Sequence, residues 1–215
     1  VRRYWTDQIA QTSDFHKSEV LDYIVSKFGR FVTNKMMRNI IGQTKSSFNL
    51  REIMDNKKIL LVNLSKGRTG ELNSKLLGMI FVMKFQAAAM SRANVLEEER
   101  PDFALYVDEF QNFASESFLG LFSEARKYKL FLTMAQQSVS QLQAKTMVNT
   151  ILDNVGTIIG FRSKSEDTEE LLLHQFNPHI EPGEIGNLPT YNFYIKIAAL
   201  QSQEPMSGET LLLED

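Results

Sequence analysis

The sequence predicts an α/β domain built on a mostly parallel sheet with helices on both faces, in three layers. Three observations point there. Short apolar runs rich in β-branched and aromatic residues recur at Ile59–Leu64, Phe103–Val107, Leu130–Met134, Thr157–Phe161 and Tyr191–Leu200. Stretches with helical apolar spacing lie between them, an order that builds βαβ units. The Phe103–Val107 run is apolar throughout, which suits a parallel strand covered on both sides.

Ser13 and Asp14 stand where they would cap a helix from Phe15 to about Phe31, with Val20, Leu21, Ile24, Val25 and Phe28 on one face. A short helix is expected around Met36–Ile41. After the Ile59–Leu64 strand comes a loop, Ser65 to Gly70, and then a long helix from Leu72 to Arg92 rich in Met, Phe and Ala. Ala93 to Pro101 reads as a charged surface loop. Helices are expected from Ser115 to Tyr128, from Val139 to about Asp153 and from Glu166 to Gln175, the last closed by Asn177-Pro178. Three segments result: a helical lead-in over 1–50, the α/β body over 51–202, and a loose tail over 203–215.

Composition sets outer limits. The chain has 215 residues, 43% hydrophobic and 23% charged, enough for one good core. A net charge of −2 gives no global basic footprint, so nucleic-acid contact would need a local patch or a ring of subunits. With no cysteine, disulfides and thiolate metal sites are excluded. His16, His174 and His179 form no ligand spacing with a second histidine and a carboxylate. The most apolar stretch, Leu76–Met90, is interrupted by Lys84 and Gln86 and falls short of the about 18–20 residues of a membrane span. The opening Val1-Arg-Arg-Tyr-Trp-Thr-Asp carries no signal-peptide pattern and reads as a start within a longer protein or as a processed or trimmed end.

The strand at 103–107 ends in Asp108-Glu109, a Walker B pattern. Ligands bind at the carboxyl ends of parallel strands, and two adjacent carboxylates there can divide the work of phosphoryl transfer. Asp108 would hold Mg²⁺ through its water shell, and Glu109 would polarise the attacking water. The plainer alternative is a solvated strand end. Downstream, Leu130–Met134 finishes on the amides Gln136 and Gln137, so two strands end in polar groups.

Several ordered motifs carry a family resemblance: Lys58 to Gly78, Val107-Asp-Glu-Phe-Gln-Asn-Phe113, Glu124-Ala-Arg-Lys127, Ala135-Gln-Gln137, Ser140-Gln-Leu142 and Asn154-Val-Gly-Thr157. Together they resemble the C-terminal half of the TraG/TraD-like coupling proteins of bacterial conjugation and type IV secretion, in the HerA/FtsK branch of RecA-like ATPases. The resemblance implies that Asp108 and Glu109 are the Walker B pair and that Gln137 is a sensor of the γ-phosphate. It also implies that Arg126 is an arginine finger reaching a neighbouring subunit's nucleotide, with Arg162 a second candidate. Each residue keeps a simpler alternative. Arg126 and Lys127 suit the negative end of a helix dipole, and Gln137 suits a helix cap.

Ser65-Lys66-Gly67-Arg68-Thr69-Gly70 is not a phosphate loop, because Lys66 precedes both glycines instead of following G-x-x-x-x-G. Lys66 and Arg68 fit either a subunit-interface or pore loop facing a polyanion, or a basic surface turn. Walker A is absent from the sequence, and in the relatives it lies upstream. The chain is therefore expected to lack half of its nucleotide site and not to hydrolyse ATP alone. The resemblance further implies ATP and Mg²⁺ as cofactors, a hexameric ring, DNA as cargo and relaxase or secretion proteins as partners. It places the parent in the cytoplasm, held at the inner membrane face through upstream segments. Two other classes fit the same residues: a RecA-like adaptor without hydrolysis, and a DNA-processing or packaging motor.

Overall fold

The structure is a computed structural model and describes residues 18–19, 22–23, 25, 29, 33–114, 116–137, 145–198 and 203–212. It divides into two units, Val1–Asn49 and Leu50–Asp215. Most of the helix expected over Phe15–Phe31 lies outside the described residues. In the first unit, helix α1 (Lys35–Ile41) starts where Asn34 accepts the Met37 N–H at 3.1 Å, a side-chain cap for an otherwise orphan donor.

The second unit opens with α2 (Leu50–Asp55), an extended stretch, the one-turn helix α3 (Lys66–Thr69) and the long helix α4 (Glu71–Met90). Gly70, at φ 79°, separates α3 from α4 in a backbone conformation that side chains disfavour. On α4, Ser74, Leu77, Gly78, Val82, Phe85 and Ala89 are buried at helical spacing. The sequence reading expected too short an apolar stretch, but the helical run Glu71–Asn94 is long and apolar enough to cross a membrane by length and composition; its buried stripe packs in a protein core. That core includes Phe110, Leu121, Ala125, Leu130 and Val148, and Phe85 stacks on Phe103 at 5.9 Å. A buried side chain of this size contributes about 1.5–3 kcal/mol, so the cluster dominates the stability of this half.

The α/β class holds. Strand β1 (Phe103–Val107) and β2 (Leu130–Met134) pair in parallel, Phe103 opposite Leu130 and Val107 opposite Met134. They are joined through α5 (Glu116–Glu124), whose end tightens into a 3₁₀ turn over Ala125–Tyr128. Helix α6 (Lys145–Asn154) leads to β3 (Thr157–Phe161), followed by α7 (Glu166–Phe176), β4 (Asn192–Ile197) and β5 (Met206–Glu209). A second apolar cluster, Leu172, Phe176, Ile180 and Ile185, packs with Ile158 and Tyr194 of this second sheet.

Four expectations change. First, Ile59–Leu64 is extended but pairs with no described strand, leaving Ile59 and Leu61 each 89% exposed. Leu60 packs against the core, while Ile59, Leu61 and Val62, with no ladder or covering layer among the described residues, stay in solvent. Second, β1, and β2 after its buried Leu130, alternate between half-buried and exposed positions, with Tyr106 74% and Phe131 45% exposed. The α4–α5 side covers one face, and no described element of this unit closes over those two rings.

Third, β3, β4 and β5 form an antiparallel sheet, with Phe161 opposite Phe193. After α7 the connection from Asn177 to Tyr191 carries the chain to the other end of β3, so β4 enters in the opposite sense. Fourth, the tail expected to be loose supplies β5. Gly208 makes that pairing possible, since a Cβ there would lie 2.5 Å from the Phe193 ring.

Candidate functional site

The chain leaves β1 through Asp108 into a left-handed residue, Glu109, at φ 50°. Such a backbone costs about 1 kcal/mol or more for a residue with a Cβ and persists where surroundings fix it. Here they do. The Glu109 N–H donates to Asp108 Oδ1 at 2.9 Å, and the Asn112 amide donates to the Glu109 carbonyl at 3.1 Å. The Phe110 N–H donates to Ala135 O at 2.9 Å, and the Ala135 N–H donates to Val107 O at 3.0 Å. These two bonds extend the ladder beyond both strands and tie the Asp108–Glu109 corner to the approach to Gln137. Phe110 is 2% exposed and meets Phe122 edge-on at 6.0 Å, which anchors the following 3₁₀ turn, Phe110–Asn112.

Both oxygens of Glu109 are held by amides. Gln137 Nε2 donates to Oε1 at 2.7 Å, and Gln111 Nε2 donates to Oε2 at 2.6 Å. Among the described residues Gln111 Oε1 is buried without a partner, so the bond that Nε2 donates to Glu109 is what places this amide. Behind the turn, Gly78 of α4 lets the Phe113 ring lie directly on the helix, because a Cβ there would stand 2.1 Å from the ring.

The site opens onto a cleft of about 1250 Å³ between the Ile59–Leu64 segment, α4 and β1. Asp108, Glu109, Gln111 and Gln137 line it together with Lys66. The structure thus brings Asp108, Glu109 and Gln137 together as the sequence reading expected. Arg68, Arg126 and Arg162 are exposed and do not line the cleft. The Lys66–Thr69 segment is a helical turn rather than a phosphate cradle. Gln111 was missed by sequence reasoning. Its signal was only a polar residue two places after Glu109, which a turn can fold back onto it.

Among the described residues no group of three His, Cys, Asp or Glu side chains converges on a metal position. Asp108 is exposed and has one oxygen on the Glu109 amide, which suits a cation that keeps most of its waters and takes its other ligands from substrate phosphates. The residues present therefore fit the magnesium and water side of a nucleotide site.

Parallel strands whose carboxyl ends carry these groups, with helices packed on them, define an α/β domain of RecA-like fold. Residues 102–172, about a third of the chain, match the family model described as the TraM recognition site of TraD and TraG. The chain is accordingly similar to the C-terminal region of the TraG/TraD-like conjugative coupling proteins. Comparison with curated proteins finds no match.

Among solved structures, the unbound bacterial conjugative coupling protein TrwBΔN70 superposes with a TM-score of 0.68 at 17% identity, covering 86% of this chain and 48% of that one. TrwB in complex with ADP and Mg²⁺ gives 0.69 at 17% identity, covering 94% and 51%. The genome packaging NTPase B204 of Sulfolobus turreted icosahedral virus 2, in complex with sulfate, gives 0.51 at 13% identity, covering 93% of both chains. The chain spans about half the length of the TrwB chains it matches.

Proposed function

We propose that the chain is the C-terminal portion of an ATP-driven motor that moves DNA, or DNA with attached protein, in conjugation or type IV secretion. The observation that carries this reading is the Glu109 carboxylate held between the Gln111 and Gln137 amides, beside Asp108, at the ends of two adjacent parallel strands. In this reading residues 51–202 are the C-terminal half of the motor domain, 1–50 a helical lead-in and 203–215 a terminal extension that adds β5.

Asp108 would hold Mg²⁺ through water, and Glu109 would orient the attacking water and take its proton. Gln137 would couple the state of Glu109 to β2. When bound, ATP with Mg²⁺ supplies the phosphoryl group and neutralises charge on its oxygens. Arg126 would add positive charge from a neighbouring subunit, so each complete site belongs to a closed ring, a hexamer by resemblance. The cargo-facing cations would be Lys66 and Arg68, with Arg162 a second finger candidate. A relaxosome protein of the TraM class is the expected partner of residues 102–172, because the matching family model is described by that recognition. The parent would work in the cytoplasm, at the membrane's inner face.

The test is Mg²⁺-dependent ATP hydrolysis by the parent protein extended upstream, with and without DNA, beside the Glu109→Gln and Arg126→Ala variants. DNA-stimulated turnover lost in both variants supports the motor. Failure to bind or hydrolyse ATP overturns it in favour of an adaptor. Residues 1–215 alone are expected not to turn over.

A packaging motor is the second reading, favoured by the match to the B204 NTPase along nearly the whole of both chains. Binding of a TraM-class protein to residues 102–172 separates the two, since a packaging motor has no use for it.

A further inference from the structure

We propose that Arg92 and Arg100 are positioning residues that fix the Ala125–Tyr128 turn and so set the direction of Arg126. The inference rests on the reading of Arg126 as a finger that acts on a neighbouring subunit.

The turn lies between α5 and β2, with its first residue Ala125 buried at 3% exposure and Leu130 just beyond it at 1%. Its last two carbonyls are both taken by guanidinium groups from the α4–β1 connection. Arg92 Nη1 donates to Tyr128 O at 2.9 Å and to Pro101 O at 3.0 Å. Arg100 Nη1 donates to Lys127 O, and the Arg100 guanidinium lies 5.4 Å above the Tyr128 ring. Arg100 is itself fixed, with Nη2 donating to Val95 O at 2.8 Å and Nε to Arg92 O at 3.1 Å.

Arg92 is 1% exposed, an unusual place for a charge. Its Nε donates to Asp55 Oδ1 at 2.9 Å, and the other Asp55 oxygen is held by Arg51. Burial lowers the Arg92 pKa, and the Asp55 charge opposes that shift. An apolar side chain of equal volume would satisfy packing there without the desolvation cost. What the guanidinium adds is directional donation to two carbonyls, those of Pro101 and Tyr128, which an apolar side chain cannot supply.

Arg126 sits one residue before the first clamped carbonyl. It is exposed and forms no side-chain bond with any described residue. A cation on a turn fixed at its end pays little ordering entropy when it meets an anion outside the chain.

The experiment uses the upstream-extended parent. Arg100→Ala is chosen because Arg100 is only partly buried and its loss leaves the Arg92–Asp55 pair in place. Turnover is expected to fall on the order of 10²-fold, with KM for ATP and the circular dichroism spectrum unchanged, the size of loss that a misplaced group of about 1 Å produces. Arg100→Lys, which keeps the charge and loses the fork, should recover only part of it.

The readout that a merely structural role would not move is subunit mixing. Arg100→Ala subunits keep Glu109, and Glu109→Gln subunits keep a well-aimed Arg126, so rings mixed from the two inactive variants regain turnover. Recovery in Arg126→Ala with Glu109→Gln rings, but none with Arg100→Ala, overturns the positioning role and leaves the finger intact. No recovery in either mixture overturns the finger and the positioning role with it.

Discussion

Gln137 Nε2 lies 2.7 Å from Glu109 Oε1, a bond that joins the ends of two strands across 28 residues of sequence. Glu109 therefore reaches its partner only after β1 and β2 have zipped in register. Because Gln111 grips the other oxygen from within the same turn, the two amides differ in what their loss does. Gln137→Ala should uncouple Glu109 from β2 and lower turnover about 10²-fold, within the range for a displaced general base. Gln111→Ala should lower turnover by less, because Gln137 would still hold Glu109 to the end of β2. Steady-state kinetics of the parent check both, and equal effects would count against the assignment of Gln137 as the long-range contact.

Glycine inside a helix normally costs about 1 kcal/mol relative to alanine, so Gly→Ala usually stabilises. At Gly78 the sign should reverse. A Cβ would fall 2.1 Å from the Phe113 ring, and the helix or the Phe110–Asn112 turn must move. Gly78→Ala should destabilise by about 1–3 kcal/mol, the cost of overpacking, as read by urea unfolding. Adding Phe113→Leu should recover most of the loss.

The Arg92–Asp55 pair gives a third expectation. Asp55→Leu leaves a buried guanidinium without its counter-charge and should cost ~2–3 kcal/mol, below the range for a fully buried pair because the Asp55 side chain is 33% exposed. Arg92→Met combined with Asp55→Leu should be less destabilised than the sum of the singles in a double-mutant cycle.

Tyr194 donates its hydroxyl to Glu184 at 3.2 Å, and burial followed by that carboxylate raises its pKa above the usual tyrosine range. A raised folded-state pKa favours the neutral phenol. The stabilisation is therefore fully present below about pH 10 and is lost as pH rises through the folded value. Absorbance titration should show one phenol ionising late in the wild type, absent in Tyr194→Phe and earlier in Glu184→Gln.

Sequence reasoning recovered β1, β2 and β3 residue for residue, because a run of alternating or continuous apolar residues between turn formers is a local signal. The convergence of Asp108, Glu109 and Gln137 was legible for a related reason: parallel strands carry their end residues to one edge. What failed was non-local. Whether Ile59–Leu64 finds a ladder, and whether β4 enters with or against β3, depends on connections whose paths leave no periodicity. β5 was overlooked because Met206–Glu209 is short and holds a glycine, whose use appears only when Phe193 lies over it. Arg92 entered the sequence reading only as the last residue of the long helix from Leu72, since nothing in its neighbours reveals that Asp55 comes to meet it.

Glu109 occupies a left-handed backbone conformation that glycine or asparagine would adopt at lower cost. Chemistry and conformational preference thus pull this position in opposite directions. Selecting variants only for solubility or heat resistance would steadily drain the glutamate from the population, and the survivors would be sturdier proteins without the carboxylate to which the proposed motor assigns its attacking water. Engineering this domain as a scaffold therefore requires a functional screen at that codon from the first round.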